Sequence, residues 1–577
     1  MRPIALLLAL LSLTLSACPS TPKAPPPPPA DLVLRGGVVF SAVADAPLAQ
    51  ALAVRGGRIV FVGSNDDALA HVGETTRVVS LQGRFVMPGL VDGHVHPLRG
   101  GQMLTACSLG YEALTRSQLR ERVAACLAAE PDAGPDDWLE VFAWQAQAIV
   151  PAGARITKKT LDRIDTQRPI YVQGADGHTG LANSRALELA GVTATTLDPH
   201  DGKFLRDKSG VPNGYLLDGA SDIIESAIPP LTTEKLREHL AAAHRNMLAL
   251  GVTAYLAAAV PPEQLVAWSQ PSAAPQPRAH LALLVDAALE REPALVAARL
   301  RGIRDTLARD DLRIGTVKFF LDGVMEHPAQ TAALLSPYLG GGEGELYADP
   351  TVLARLAIKL EAEGWQLHFH AIGDRAVRTA LDAIEAARKT NGPKDVRHTL
   401  VHLELIDRHD IPRFAALGAI ASFSPQWHRR DSFTIDALEP YIGSARHERL
   451  YPVKTLLDSG AHIAYGSDWP VDPPDRFDAI ESGVTRERAI ANSGTLPGVL
   501  GADQRLTTEQ ALRAYSAGAA YQLRRDGDFG TLTPGKLADF IVLNANPLAL
   551  EPRQISELAV LETYIGGVRV YEAPPAP

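Results

Sequence analysis

Histidines recur in this chain where short apolar runs end, and no other pattern in it is as well suited to chemistry. In Gly89-Leu90-Val91-Asp92-Gly93-His94-Val95-His96-Pro97, a strand's period of two sends His94 and His96 to one face and Val95 to the other. Two imidazoles on one face can grip one metal ion; as an isolated dipeptide they read equally well as a polar surface pair. Pro97 cannot continue a ladder, so the pair sits where the strand stops. Lys318 lies in Val317-Lys318-Phe319-Phe320, His370 closes Leu367-His368-Phe369-His370, His402 closes Leu400-Val401-His402, and Asp468 follows Tyr465-Gly466-Ser467. Neutral imidazoles with a carboxylate suit zinc and similar divalent ions, with a position left open for water. Any one of these histidines alone reads as a satisfied core residue. Four of them and an aspartate at successive strand ends read as ligands.

The elements that must position them alternate strand and helix. Short apolar segments at 170–172, 252–256, 281–285, 317–320, 367–370, 399–402, 419–423 and 463–465 are the candidate strands, and Val377, Leu381 and Ile384 recur at helical spacing between two of them. Such alternation predicts a parallel sheet, with a closed TIM (β/α)8 barrel as the leading form and an open doubly wound sheet second. A barrel brings the ends of distant strands to one mouth. Both termini look different: Gly36-Gly37 and Gly56-Gly57 each separate two β-rich runs and predict two tight hairpins, and 537–543 and 568–571 have the same character. The expected architecture is α/β, a (β/α)8 barrel over 89–504 inserted into a small β-sandwich formed by 31–88 and 505–577.

Composition narrows the partners. The chain has 577 residues, 46% of them hydrophobic, and a formal charge of -10, with no run of Lys or Arg; nucleic acid is not an expected partner. Arg2 and the apolar run from Ile4 to Leu11 predict an export signal over 1–17, and Leu15-Ser16-Ala17-Cys18 resembles a bacterial lipobox. Cleavage there leaves Cys18 as a lipidated N-terminus, so the membrane is touched only through that anchor. The alternative is an ordinary signal peptide with an incidental cysteine. Residues 18–30, with prolines at 25 to 29, read as a stiff spacer. The expected location is the bacterial cell envelope, facing the periplasm or on the outer membrane, towards which Pro19 in the place of an aspartate leans. Cys107 and Cys126 remain, as a disulfide in an oxidising compartment or as two buried thiols.

Taken together, His94-Val95-His96, Lys318, His370, His402 and Asp468 resemble the amidohydrolase superfamily, in particular the branch related to N-substituted formamide deformylases. Asp176-Gly177-His178, Ala371-Ile372-Gly373-Asp374, Gly466-Ser467-Asp468-Trp469-Pro470 and Leu532-Thr533-Pro534-Gly535-Lys536 carry the branch-level likeness. The resemblance implies one or two divalent ions per chain, with zinc the leading candidate. His94, His96 and Asp468 would bind the more buried ion and His370 and His402 the other, bridged by a carboxylated Lys318. It implies hydrolysis by metal-activated hydroxide, with Asp468 as proton shuttle and His178 holding the carbonyl oxygen or orienting substrate. His368 would support His370's face without being a ligand. Gln426 is a further substrate-binding candidate, and so is Glu326, which could meet a cationic group on the substrate or be a solvated loop charge. Ser424-Pro425-Gln426-Trp427-His428 departs from the family's usual Gln-Pro order, and Glu326 stands where small residues are usual.

The expected reaction is hydrolysis of a linear amide-type C-N bond, in an N-acyl or N-formyl amine, with a small-molecule amide as substrate. A mononuclear deaminase is the alternative within the superfamily; its glutamate is expected three residues after His370, where Gly373 stands. A cyclic-amide hydrolase and a non-catalytic surface lipoprotein that binds without turnover are the others. Gly530 to Lys536 has phosphate-loop spacing, but Leu537 replaces the required Ser or Thr, and no Gly-x-Ser-x-Gly elbow occurs.

Overall fold

Apolar runs bounded by turn residues form eight strands: β1 (Leu90–Val95), β2 (Val252–Val260), β3 (Arg278–Leu284), β4 (Leu312–Phe320), β5 (Gln366–Ala371), β6 (Thr399–His402), β7 (Ile420–Phe423) and β8 (His462–Tyr465). In the computed structural model, which describes residues 27–574 except 152, 271–273, 488–495 and 497, they make one parallel sheet in chain order. The expected signal peptide, Cys18 and most of the proline-rich spacer lie outside the described residues. The sheet's first and last strands meet where the Asp468 amide donates to the His94 carbonyl at 2.8 Å, so the sheet curls into the expected barrel. Helices cover its outside. The helix Asp374–Asn391 turns Val377, Ala380, Leu381 and Ile384 inward at the expected spacing, and each large side chain buried there is worth about 1.5–3 kcal/mol.

Two of the strand expectations change. Ile170-Tyr171-Val172 belongs not to the barrel but to a six-stranded side sheet between β1 and β2, ordered Cys107–Ser108, Leu139–Trp144, Ile170–Gly174, Thr179–Ala182, Pro212–Asp218, Gly202–Arg206. Its first three strands are themselves parallel, so an apolar run there looks locally like a barrel strand. Gly36-Gly37 is not a hairpin turn, because one strand, Leu32–Val39, runs through it. On one edge the first half of that strand pairs with Arg77–Ser80 and the second half with Phe85–Pro88. Gly36 at φ +76 lets the backbone bend at this fork, and a Cβ on Gly37 would meet the Arg84 carbonyl at 2.5 Å. The second hairpin forms as expected, Ala49–Arg55 with Arg58–Gly63.

Both termini share a sheet. Phe540–Leu543 pairs antiparallel with Phe85–Pro88, two residues before β1, and continues through Val560–Ile565 to Val568–Glu572. Leu32, Leu34, Val86, Phe540 and Val542 meet in one apolar cluster, so the two ends share one core. Residues 514–522, grouped by sequence with this sheet, pack on β1 and β8 of the barrel, and the helix Thr508–Arg513 before them packs on the helix Arg476–Thr485. Among the described residues, no helix is long and apolar enough to cross a membrane.

Candidate metal centre and active site

Strand ends deliver the candidate ligands to one mouth. His94 ends β1, Lys318 and His368 are register partners on β4 and β5, Phe320 pairs with His370, and His402 ends β6. His94, His402 and Asp468 have ligand atoms within 4.8 Å of one another, and all three are buried. His94 Nε2 lies 3.3 Å and His96 Nε2 3.1 Å from Asp468 Oδ1, and His402 Nδ1 lies 3.8 Å from Asp468 Oδ2. His370 stands beside this group with its ring centroid 4.5 Å from that of His402, while its Nε2 is 3.1 Å from the Gly323 carbonyl. Asp468 and His402 both have positive φ, +52 and +78, strained conformations for residues with a Cβ that turn the chain sharply at the ends of β8 and β6.

This donor set fits a divalent cation on its own terms. His94 Nε2, His402 Nδ1, Lys318 Nζ and Asp468 Oδ1 are all buried without a hydrogen-bond partner, and leaving such groups unpaired costs about 1–3 kcal/mol each. A cation among them would satisfy several at once. Burial, with Lys318 nearby, lowers His94 to about 3, and burial holds His370 and His402 well below the usual histidine value; all three offer lone pairs at neutral pH. Burial works against the Asp468 charge, yet the His94 and His96 imidazoles beside it hold it well below the ordinary carboxylate range. Burial lowers Lys318 to about 7.

The supports are as ordered as the ligands. His368 Nε2 lies 2.7 Å from His94 Nδ1, in the supporting place the sequence suggested, and fixes which His94 nitrogen faces the centre. Asp92 accepts from the His94 amide, the Ser467 amide and the Ser467 hydroxyl, and its second oxygen is 2.6 Å from Arg476 Nη2. The Ser467 bonds tie β1 to the turn after β8, and the Arg476 pair ties it to the helix Arg476–Thr485 that follows.

Above the centre opens a cavity of about 410 Å³. His178, carried in by the side sheet, lines it with its ring 5.5 Å from that of His370, and its Nδ1 is 2.6 Å from Asp218 Oδ1. Burial disfavours its charged form, but Asp218, Asp176 and Asp468 raise its pKa above the ordinary value. Glu326 lines the cavity, and so does Glu404, which the sequence reading passed over. Burial pushes Glu326 up to about 7, and burial with the neighbouring Glu326 charge holds Glu404 well above the usual range.

Gln426 is not at the cavity. It sits in the turn Pro425–Trp427 with its amide donating to the Ser467 carbonyl at 2.5 Å, so it braces the Asp468 loop, and its neighbour Trp427 forms the wall instead. Cys107 and Cys126 form a disulfide in the side sheet, away from the cavity lining. The only local signal for Glu404 was its place in the chain, two residues beyond His402. Nothing local pointed to Asp218 or Arg476, which lie 40 residues from His178 and 384 from Asp92.

Comparisons with known proteins place this geometry. The chain is 30% identical over 571 residues to the Arabidopsis thaliana protein LONG AFTER FAR-RED 3, covering 96% of this chain and 94% of that one. It is 27% identical over 557 residues to an N-substituted formamide deformylase from Arthrobacter pascens, covering 94% and 98%. The fold matches an uncharacterised metal-dependent hydrolase from Pyrococcus furiosus with a TM-score of 0.67 at 24% identity, over 90% of this chain and 99% of that one. The sequence profile of the amidohydrolase family matches residues 77–571, and the chain belongs to that family of metal-dependent hydrolases.

Proposed function

We propose that this protein hydrolyses the linear amide-type C-N bond of a small N-acyl or N-formyl amine. The observation that carries the reading is the convergence of His94 Nε2, His402 Nδ1, Lys318 Nζ and Asp468 Oδ1, buried and unpartnered, on the floor of a cavity large enough for a small molecule. The likeness to a formamide deformylase over almost the whole chain supports the choice of bond. His94, His96 and Asp468 would hold one divalent ion, zinc in the first instance, and His370 and His402 a second, with a carboxylated Lys318 serving both positions. When bound, such an ion supplies Lewis acidity, making water acidic enough to attack near neutral pH and polarising a carbonyl.

The chain's own groups do the rest. The Asp468 carboxylate takes a proton from the attacking water and returns it to the departing amine nitrogen, work worth about 10²–10⁴ in rate for a well-placed group. With Nδ1 committed to Asp218, the His178 ring keeps Nε2 to donate to the substrate carbonyl oxygen as negative charge develops there. Trp427, Phe320 and Ile149 line the cavity and keep bulk water from the bond being broken. We also propose that Cys18 carries a lipid and tethers the enzyme to the cell envelope, on the strength of the lipobox-like 15–18 and the spacer that follows.

The test is metal analysis of protein purified without chelators in bicarbonate buffer, followed by assay of amine release from N-formyl and N-acyl amines. Bound divalent metal, activity lost on chelation, and a rate at least about a hundredfold lower in Asp468→Asn are expected. Fewer ions in Lys318→Ala than in the parent would support the bridging lysine. A chain that holds metal but releases no amine from any of these compounds would refute the reaction.

A further inference from the structure

The cavity's charge is uneven. Of its cationic lining residues, Lys318 faces the metal centre, Arg99 donates to Gln173, and Arg429 is paired with Asp431, Asp472 and Asp478. Glu326 and Glu404 line the same cavity, where the Lys and Arg side chains are engaged elsewhere and His178 is the positive group that acts on Glu326 through space. Glu404 is 3% exposed, receives a hydrogen bond from Tyr451, and leaves Oε2 buried without a partner. Leu403 and Leu405 donate back to the Ala371 and Ile372 carbonyls and bury their side chains, while His402 and Glu404 line the cavity. Glu326 comes from a different loop, after β4, anchored where the His327 amide donates to the Ala437 carbonyl. Two loops thus place two buried carboxylates against one space. Val324, Trp427, Phe433 and Tyr451 are the apolar and aromatic walls around it.

Two buried carboxylates repel each other, and each is costly to remove from water without a counter-ion. A cation between them relieves both penalties, and the aromatic walls favour the same charge. We propose that Glu326 and Glu404 form a subsite for a positively charged group of the substrate, an ammonium or amidinium joined to the amide by an apolar stem. The proposal rests on the amide-hydrolase reading only for the position of the bond to be cleaved. Substrates would then be mono-acylated or mono-formylated diamines and related basic amides, with the acyl end at the metal centre and the cationic end at the two glutamates.

Binding and turnover test it separately. Calorimetric titration of the zinc-loaded full chain at pH 8 with benzamidinium and with its uncharged counterpart benzamide reads the subsite without requiring hydrolysis. Benzamidinium is expected to bind at least about tenfold more tightly, and Glu404→Gln or Glu326→Gln to bring the two close to parity. In turnover, N-formyl-1,4-diaminobutane is expected to exceed N-formylbutylamine in kcat/KM by a similar factor, with the ratio collapsing in the same variants. If Glu404→Gln unfolds, as its melting curve would report, Glu326→Gln and Glu404→Asp carry the test. Equal binding of the two probes, or a preference that survives in every folded variant, overturns the subsite. A variant-sensitive preference for the cation without cleavage of any formamide would refute the reaction and uphold the subsite.

Discussion

His94 is held at Nδ1 by His368, which leaves its Nε2 turned towards the candidate centre, 3.3 Å from Asp468 Oδ1. For His94 to offer Nε2, its Nδ1 must carry the proton and donate to His368 Nε2, which leaves His368 Nδ1 buried without a partner. A group that sets a ligand's tautomer and ring angle typically matters by 10–100-fold in metal affinity. His368→Ala is therefore expected to weaken zinc binding by about 10–100-fold while leaving the fold intact, as competition with a chromophoric chelator would measure. An affinity equal to the parent's would mean that His94 is held by the backbone alone. The Arg476–Asp92 pair acts at the same scale, since removing either partner would strand a buried charge beneath both His94 and Asp468.

At the scale of elements, the side sheet is the part least like a bare barrel, and it carries two separate predictions. Glu140, on its strand Leu139–Trp144, accepts hydrogen bonds from Gln102 and Gln173, and burial and the Glu225 charge raise it from the ordinary 4.5 to about 7. The folded chain therefore holds a proton that the unfolded chain releases between these values. The contribution is fully present below about 4.5 and is lost as pH rises through about 7. Chemical denaturation of Glu140→Gln and parent from pH 4.5 to 8 should find the variant gaining roughly 1–3 kcal/mol on the parent across that window. A constant difference would remove the buried proton from the account. The disulfide closes a separation of 19 residues between Cys107 and the helix Arg116–Ala129. Loops of that length are worth about 3 kcal/mol when closed. Replacing both cysteines by alanine is expected to lower unfolding free energy by about 2–4 kcal/mol, read from the urea midpoint, with the metal centre unchanged.

For the whole molecule, one arrangement stands out: the sheet that joins the two ends of the chain also begins the barrel. Phe85–Pro88 is bonded to Leu32–Val39 on one side and Phe540–Leu543 on the other, and its next residues become β1 with His94. The strand Leu32–Val39 belongs to that sheet, and the proposed anchor at Cys18 would hold the enzyme at the membrane surface. Expressed in a Gram-negative host, the full chain is expected to fractionate with membranes and to take up labelled palmitate, and Cys18→Ser to remove the label. Label retained in the variant would place the lipid elsewhere or deny it.

The sequence alone was enough to single out the candidate ligands, because strand period two and strand-end position are local properties. His94, His96, Lys318, His370, His402 and Asp468 could be named from neighbours a few residues away, and so could the helix buried through Val377, Leu381 and Ile384. It was not enough to tell which sheet an apolar run joins. Ile170-Tyr171-Val172 and the barrel strands have the same pattern, and their partners lie far along the chain. Nor did Gly36-Gly37 reveal itself as a fork, since a glycine pair serves a turn and a bend equally well. Gln426 and Glu404 exchanged places for a related reason: which side chain reaches a cavity depends on how loops from different strands pack over it. Partnerships such as Asp218 with His178 and Arg476 with Asp92 exist only once tertiary folding has brought distant segments within hydrogen-bond reach.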